Sequence, residues 1–504
     1  MNTENKKKKN SSKKKNVALQ INKKTLISIT VLLVGIMLFA GLLTQIIPTG
    51  VYNTRDDGSI IDGTYHEITK EEADYSFWRV FIAPIETFIF STSDAVTGLA
   101  IIVFIIVIGG TFLVLDNSGV LKYIMTTIVS RYEKKKYILL AVMIFACMAL
   151  SSVAGILEES VTLVPLAAAI SLSLGWDSLV GLGFSLIAVA FGYSAATFNP
   201  FNIGIVQSMA NLQMFSGLTF RIFVFLGIYA TLTAFLITYA KKIEKDPKKS
   251  IVYESDLELR KRLLNENDTK EALANPNLSK ATRAFVSAII GVLVITVVCF
   301  ISQKFIKNSS LSDIISYLPM VSMAILFAIG GLRAGHIAGI RGKELAKGFK
   351  DGAMAVMPCA PLIIFIISIT YILKQGKIIH TMLYYIYNFL QDFGPYTSII
   401  LIFAVICIFE FFIGSGTAKA FLLMPLLIPL VDMLNIERQS LVLTFCLSDG
   451  LCTILFPTSG IMIIAIGILN IPYSKYMRFT WKLFVLEFLV SIILILLAIF
   501  VGYH

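Results

Sequence analysis

Two adjacent carboxylates, Glu158 and Glu159, stand in the stretch GILEESVTLVP (residues 155–165), between the apolar runs YILLAVMIFACMALSSVA and LAAAISLSL. A charge held at the depth of a hydrocarbon layer costs about 2.5–3.5 kcal/mol or more unless something pairs with it. Carboxylates in such a place bind a cation or an ammonium group, or exchange a proton. Two neighbouring acids also disfavour full ionisation of both without a cation between them. One of the two can instead sit at the positive end of a helix. A single lysine, Lys419 in GSGTAKA, is the matching charge in the second half of the chain. It is a candidate anion anchor or an internal counter-ion for Glu158, Glu159 or Glu410. Asp449 is a further buried acid, either a ligand of a coupling ion or a hydrogen-bonded structural residue.

Around these charges lie small polar residues at breaks in apolar runs. Ser160, Thr162, Ser415, Gly416 and Thr417 offer hydroxyls, carbonyls and free N–H groups suited to a carboxylate or to Na⁺. Their plainer role is to let helices pack closely. Thr197, Asn199 and Asn202 flank Pro200, and Thr458 and Ser459 follow Pro457. They either ligate a substrate or satisfy backbone groups that the prolines release.

The elements that must hold these residues are membrane helices. The 504 residues are 56% hydrophobic and 15% charged, with a mean hydropathy of +0.80. A soluble chain carries about 25% charge. Apolar runs such as Thr25–Ile47, Phe220–Tyr239, Phe285–Ile301 and Phe484–Val501 recur, each long enough to cross a bilayer core of about 30 Å. The composition implies an all-α polytopic membrane protein, with the lipid bilayer as its environment.

The net charge of +11 is concentrated at the start, where the first 24 residues hold nine lysines. This segment is too polar to pack, so it is expected to be a disordered cytoplasmic tail. It does not read as a nucleic-acid module, because no folded basic domain accompanies it. The six cysteines and four histidines form no metal-ligand pattern, and no phosphate-binding GxxxxGK[ST] stretch occurs. The sequence thus offers no metal site, no cofactor and no catalytic constellation, apart from Na⁺ at the breaks or H⁺ on the acids. Arg221, His336, Lys475 and Arg478 read most simply as anchors at the membrane edge.

The loops set a topology. With the lysine tail inside, the acidic segment 48–78 lies outside and the basic RYEKKK (131–136) returns inside. The polar segment 241–283 is then a cytoplasmic linker between a first membrane half (25–240) and a second (284–504). NSGVLKYIMTTIVSRY around Gly119 resembles KQGKIIHTMLYYIYNF around Gly376, and TFNPFNIG around Pro200 faces LFPTSGIM around Pro457. Both pairs are about 257 residues apart. The charge count gives the copies opposite orientations, as in the inverted repeats of secondary transporters. Each copy is interrupted twice by Gly, Pro, Ser or Asn. Backbone groups freed in this way are tolerated only where they are buried in protein or line a wet cavity. The sequence therefore predicts two hairpins, near 137–175 and 395–435. It also predicts two discontinuous helices, near 179–212 and 440–470, with all four elements meeting at one polar site.

The stretches GILEESVTLVP, LGWDSLVG, ATFNPFNIGIVQ, KGFKDGAMAVMP, FFIGSG, LLMPLLIPLVD, SDGLCTILFPTSG and IPYSKYMRF extend over nearly the whole chain beyond the tail. In them the sequence resembles the YfcC-type members of the C4-dicarboxylate anaerobic carrier family, within a broader ion-transporter superfamily. The resemblance implies a scaffold plus a mobile transport domain, re-entrant hairpins, elevator-like alternating access and a homodimer. Family members are labelled carriers of C4-dicarboxylates or suspected basic amino acid exchangers. The chain departs from the expected family pattern at Ala418–Lys419, at Glu410 and around Ile367.

The residues together predict a secondary transporter in the cell (inner or plasma) membrane, carrying a small amino acid. A basic one is favoured because buried acids outnumber Lys419, carried by exchange or ion-coupled symport; a C4-dicarboxylate is the alternative substrate, and a non-transporting membrane scaffold or receptor is a distant alternative.

Overall fold

The computed structural model describes residues 23–54, 61, 63–90, 92–213, 215–263, 276–303, 324–390 and 392–503. Residues 1–22 of the lysine tail and 264–275 of the linker lie outside this set, as does the side chain of Glu159. Among the described residues six helices are long and apolar enough to cross a membrane, or eight if two bent pairs each form one span. The chain is thus an all-α polytopic membrane protein, built from the apolar runs that the sequence displays. The only sheet among the described residues is one short pair, Gly50–Val51 against His66–Glu67.

The two halves repeat element for element. Helices Lys136–Ala154, Val164–Ser173, Ser178–Ser194, Ile205–Met209 and Leu218–Lys245 are followed in the second half by Pro395–Phe412, Gly416–Met433, Arg438–Thr453, Gly460–Ile468 and Tyr473–Phe500. The turns between them match as well. Left-handed backbone occurs at Gly119 and Lys377, at Gly175 and Asn435, and at Asn211 and Asn470. Such φ values suit glycine and asparagine, so the turn chemistry of one copy reappears in the other. The first pair corrects the register read from sequence by one residue: Lys377, not Gly376, stands where Gly119 does.

In each half a hairpin is laid beside a broken helix. In the first half Met148 lies against Gly192 and Ser152 bonds to the carbonyl of Ala195. In the second half Ser448 bonds to the carbonyl of Phe403, and Thr453 bonds to Glu410. The outbound arm and the broken helix therefore run parallel, and the return arm between them must run back. The chain reverses at 155–163 and at 413–415. The first reversal follows from Gly155, whose φ of 71° ends the outbound arm.

The two broken helices form the centre. Every residue in 178–194 and in 439–453 is buried, including the polar Gln439, Ser440, Thr444, Ser448, Asp449 and Thr453 of the second. They touch backbone to backbone, because a Cβ on Gly450 would lie 2.5 Å from the carbonyl oxygen of Ala190. Outside this core a second pair, Thr92–Asn117 and Lys343–Val356, is joined just as closely. There a Cβ on Gly109 would sit 2.9 Å from the carbonyl oxygen of Gly352.

The linker contributes a helix of its own, Tyr253–Leu263, docked under the first hairpin. Buried Asp256 accepts the backbone N–H of Ser178 at 2.8 Å and its hydroxyl at 2.7 Å. Beside it, buried Asp177 caps the broken helix by accepting from Val180 N–H, and also accepts from the hydroxyls of Tyr239 and Ser250.

Candidate functional site

The four interruptions come together. At the first hairpin tip the chain leaves Gly155, runs through Ile156 and Leu157, and enters a short 3-10 turn, Glu158–Thr162. Two serines tie this turn down: Ser151 donates to the Ile156 carbonyl at 2.7 Å and Ser160 to the Leu157 carbonyl at 2.6 Å. Ser160 and Thr162 are buried, whereas Glu158 is exposed. The tip packs against the helix Gly460–Ile468 that follows the second break. Glu158 also lies close enough to Asp449 for their charges to interact.

At the first break the polar residues are occupied with the backbone. Thr197 donates to the Ser152 carbonyl at 3.2 Å, and Asn202 donates to the Tyr193 carbonyl at 3.2 Å. Asn199 accepts the Asn202 N–H at 3.2 Å. These three side chains replace helix hydrogen bonds that the Pro200 break removes, the plainer of the two roles open to them. At the second break Thr458 and Ser459 are buried, and their hydroxyl oxygens have no hydrogen-bond partner among the described residues. Asn202 Oδ1 at the first break is likewise without a partner among the described residues, so both breaks keep bonding capacity for a ligand.

The second hairpin tip carries the charges. Its outbound arm ends at Phe412, and Ser415 caps the return arm by accepting the Ala418 N–H at 3.3 Å. Ser415 is exposed, and Gly416 and Thr417 are half-buried. Lys419 lies one turn further in and is wholly buried. Its ammonium is ion-paired with Glu410 of the outbound arm and with Asp449 of the broken helix, the latter at 2.5 Å. Thr453 lies between these acids, its hydroxyl 3.2 Å from Glu410 Oε1 and 2.9 Å from the Asp449 carbonyl. Gly416 makes room for the arrangement: a Cβ there would come within 2.6 Å of Asp449 Oδ2.

One ammonium is therefore paired with two carboxylates, those of Glu410 and Asp449, and a third acid, Glu158, lies near Asp449. Glu410 and Asp449 are held by fixed partners, while Glu158 faces open space at the tip. An arrangement with this surplus of negative charge can take up a further cation, and the exposed N–H groups at Ser415–Thr417 can meet an anionic group.

Several buried groups carry no signal in the sequence strong enough to single them out. Glu487 is 1% exposed inside Tyr473–Phe500, and neither carboxylate oxygen has a partner among the described residues. Arg221 is not a lipid-edge anchor but is buried, donating to Tyr503 Oη at 3.0 Å and to the Ser216 carbonyl. Only the rarity of an acid or an arginine within a long apolar run marks either position.

The sequence profile of the C4-dicarboxylate anaerobic carriers (DcuC) matches residues 26–500. Among individual proteins, YfcC of Escherichia coli K12, named as a candidate basic amino acid antiporter, is 25% identical over 94% of this chain and 96% of its own. A Haemophilus influenzae protein without a described role is 24% identical over 79% of this chain and 75% of its own. Two solved structures are similar over 94% of this chain, each at 16% sequence identity. They are the YdaH transporter of Alcanivorax borkumensis (TM-score 0.46, 98% of that chain) and MtrF of Neisseria gonorrhoeae (TM-score 0.42, 95% of that chain), described as one of a class of antimetabolite efflux pumps.

Proposed function

The chain belongs to the C4-dicarboxylate anaerobic carrier family, a family of membrane transporters for small molecules, and we propose that it moves a small amino acid, a basic one in preference, by secondary active transport. The observation that carries this reading is the charge inventory where the four breaks meet: three carboxylates against one ammonium. A cationic side chain on the substrate balances the surplus. Its carboxylate meets the N–H groups at the second hairpin tip. The name of the Escherichia coli relative supports the same substrate class.

The mechanism proposed is alternating access of the elevator type. The hairpins and broken helices share one buried core and would move as a unit against the glycine-packed pair Thr92–Asn117 and Lys343–Val356. The acids would couple that movement to exchange of a second solute or to a proton. Binding and movement would be the whole of its chemistry, with no catalysis and no cofactor. The carrier would work as a homodimer in the cell membrane with its N-terminus in the cytoplasm.

A C4-dicarboxylate is the second reading, favoured by the family description and by the free hydroxyls of Thr458 and Ser459. Counterflow in proteoliposomes separates the two. Lysine or arginine trapped inside should drive uptake of the labelled amino acid, with no response to succinate. Counterflow with succinate alone would overturn the basic amino acid reading in favour of the dicarboxylate. Counterflow with neither class would remove both substrates.

A further inference from the structure

Two carboxylates converge on a single point, and the atom at that point is the nitrogen of Lys419, while the Thr453 hydroxyl donates to Glu410. Glu410 comes from the outbound arm of the second hairpin, Asp449 and Thr453 from the broken helix, and Lys419 from the return arm. All four residues are buried. Hard oxygen donors of this kind, converging where a helix is interrupted, are the donor set of an alkali-metal ion. An ammonium has the same charge and binds the same oxygens, but it is covalently attached and cannot dissociate.

We propose that Lys419 is a tethered cation occupying the place of an alkali-metal ion, so that this site neither requires nor binds Na⁺. The inference deepens the transport reading and rests on it for its consequence, since a fixed cation travels with the carrier in both directions. Net charge brought by a dissociable ion is then unavailable here. Coupling is left to the exchanged solute or to Glu158, which has no ion pair among the described residues. The arrangement also accounts for the close fit at Gly416, where any side chain would displace the Asp449 carboxylate.

The test measures ion binding directly and does not depend on which solute is carried. Purified full-length protein is heated in NaCl, LiCl or choline chloride at equal ionic strength. Wild type should melt at the same temperature in all three. Lys419→Ala vacates the ammonium position, and Na⁺ or Li⁺ should then raise its melting temperature by about 2–4 °C over choline. Glu410→Gln/Lys419→Ala keeps the cluster at its original net charge and should show a smaller rise in the same direction. If Lys419→Ala fails to fold, the double variant decides. A wild-type protein stabilised by Na⁺ over choline overturns the proposal, as does the lack of any Na⁺ response in the variants that fold. Counterflow is measured separately, so loss of the substrate reading leaves this result standing.

Discussion

Lys419 Nζ lies 2.5 Å from Asp449 Oδ1, which joins the return arm of the second hairpin to the helix that breaks beside it. Losing one charge-assisted hydrogen bond to a buried ammonium costs about 1.5–3 kcal/mol. Asp449→Asn leaves Lys419 with Glu410 alone. It should lower the melting temperature clearly and abolish counterflow. A variant with wild-type melting and uptake would show that the pair bears on neither.

Glu158 presents the opposite case. It is exposed at the first hairpin tip, where its carboxylate accepts a bond from its own backbone N–H. Glu158→Gln should leave thermal stability within about 0.5 kcal/mol of wild type, as expected for an exposed position. Uptake of a basic amino acid should fall at least about tenfold, equivalent to losing a charge contact of about 1.4 kcal/mol. Unchanged uptake would remove Glu158 from the site.

The linker helix should respond to pH. Burial lifts the Asp256 carboxyl from 3.8 to about 6; its bonds from Ser178 pull the other way, nearby Asp177 adds to the rise, and Arg260 opposes it. The docked helix therefore binds a proton that the undocked helix releases. Docking is strongest below about pH 4, weakens as pH climbs through 6, and is flat above, a change of up to about 100-fold in the docking equilibrium. Hydrogen exchange of 253–263, corrected for intrinsic rates, should be slower at pH 5 than at pH 7.5. Equal protection at both would show that Asp256 does not govern docking.

Glu487 makes a stability prediction with the unusual sign. Its carboxylate is buried in Tyr473–Phe500 with no partner among the described residues. An unsatisfied buried polar group costs about 1–3 kcal/mol. Glu487→Leu should therefore raise the melting temperature in detergent. A fall would mean that the carboxyl makes an interaction essential to packing.

Much of the scaffold can be read directly from the residues. Gly155, Pro200, Gly414 and Pro457 mark the interruptions, and the apolar runs mark the helices, because both depend on local chemistry. The pairing of charges is not local. Lys419 meets Glu410 and Asp449 only because three segments converge, so its partners could not be chosen among the several acids present. The breaks are similarly opaque: Asn199 beside a proline reads equally as a ligand or as a backbone partner until its neighbours are placed. Asp256 was hidden for another reason. A charge-rich linker reads as solvated, and nothing in its composition distinguishes the one acid that is buried.

The docked linker helix also touches the other half. Asp256 grips Ser178 at the start of the first broken helix, while Glu254 and Ser255 approach Lys475 at the start of Tyr473–Phe500 at 3.8 and 3.4 Å. Eleven residues outside the apolar core thus bridge the two copies at one end. A strap in that position ties the two copies at that end through one titratable group, so proton loss at Asp256 would weaken the tie without touching the ligand site.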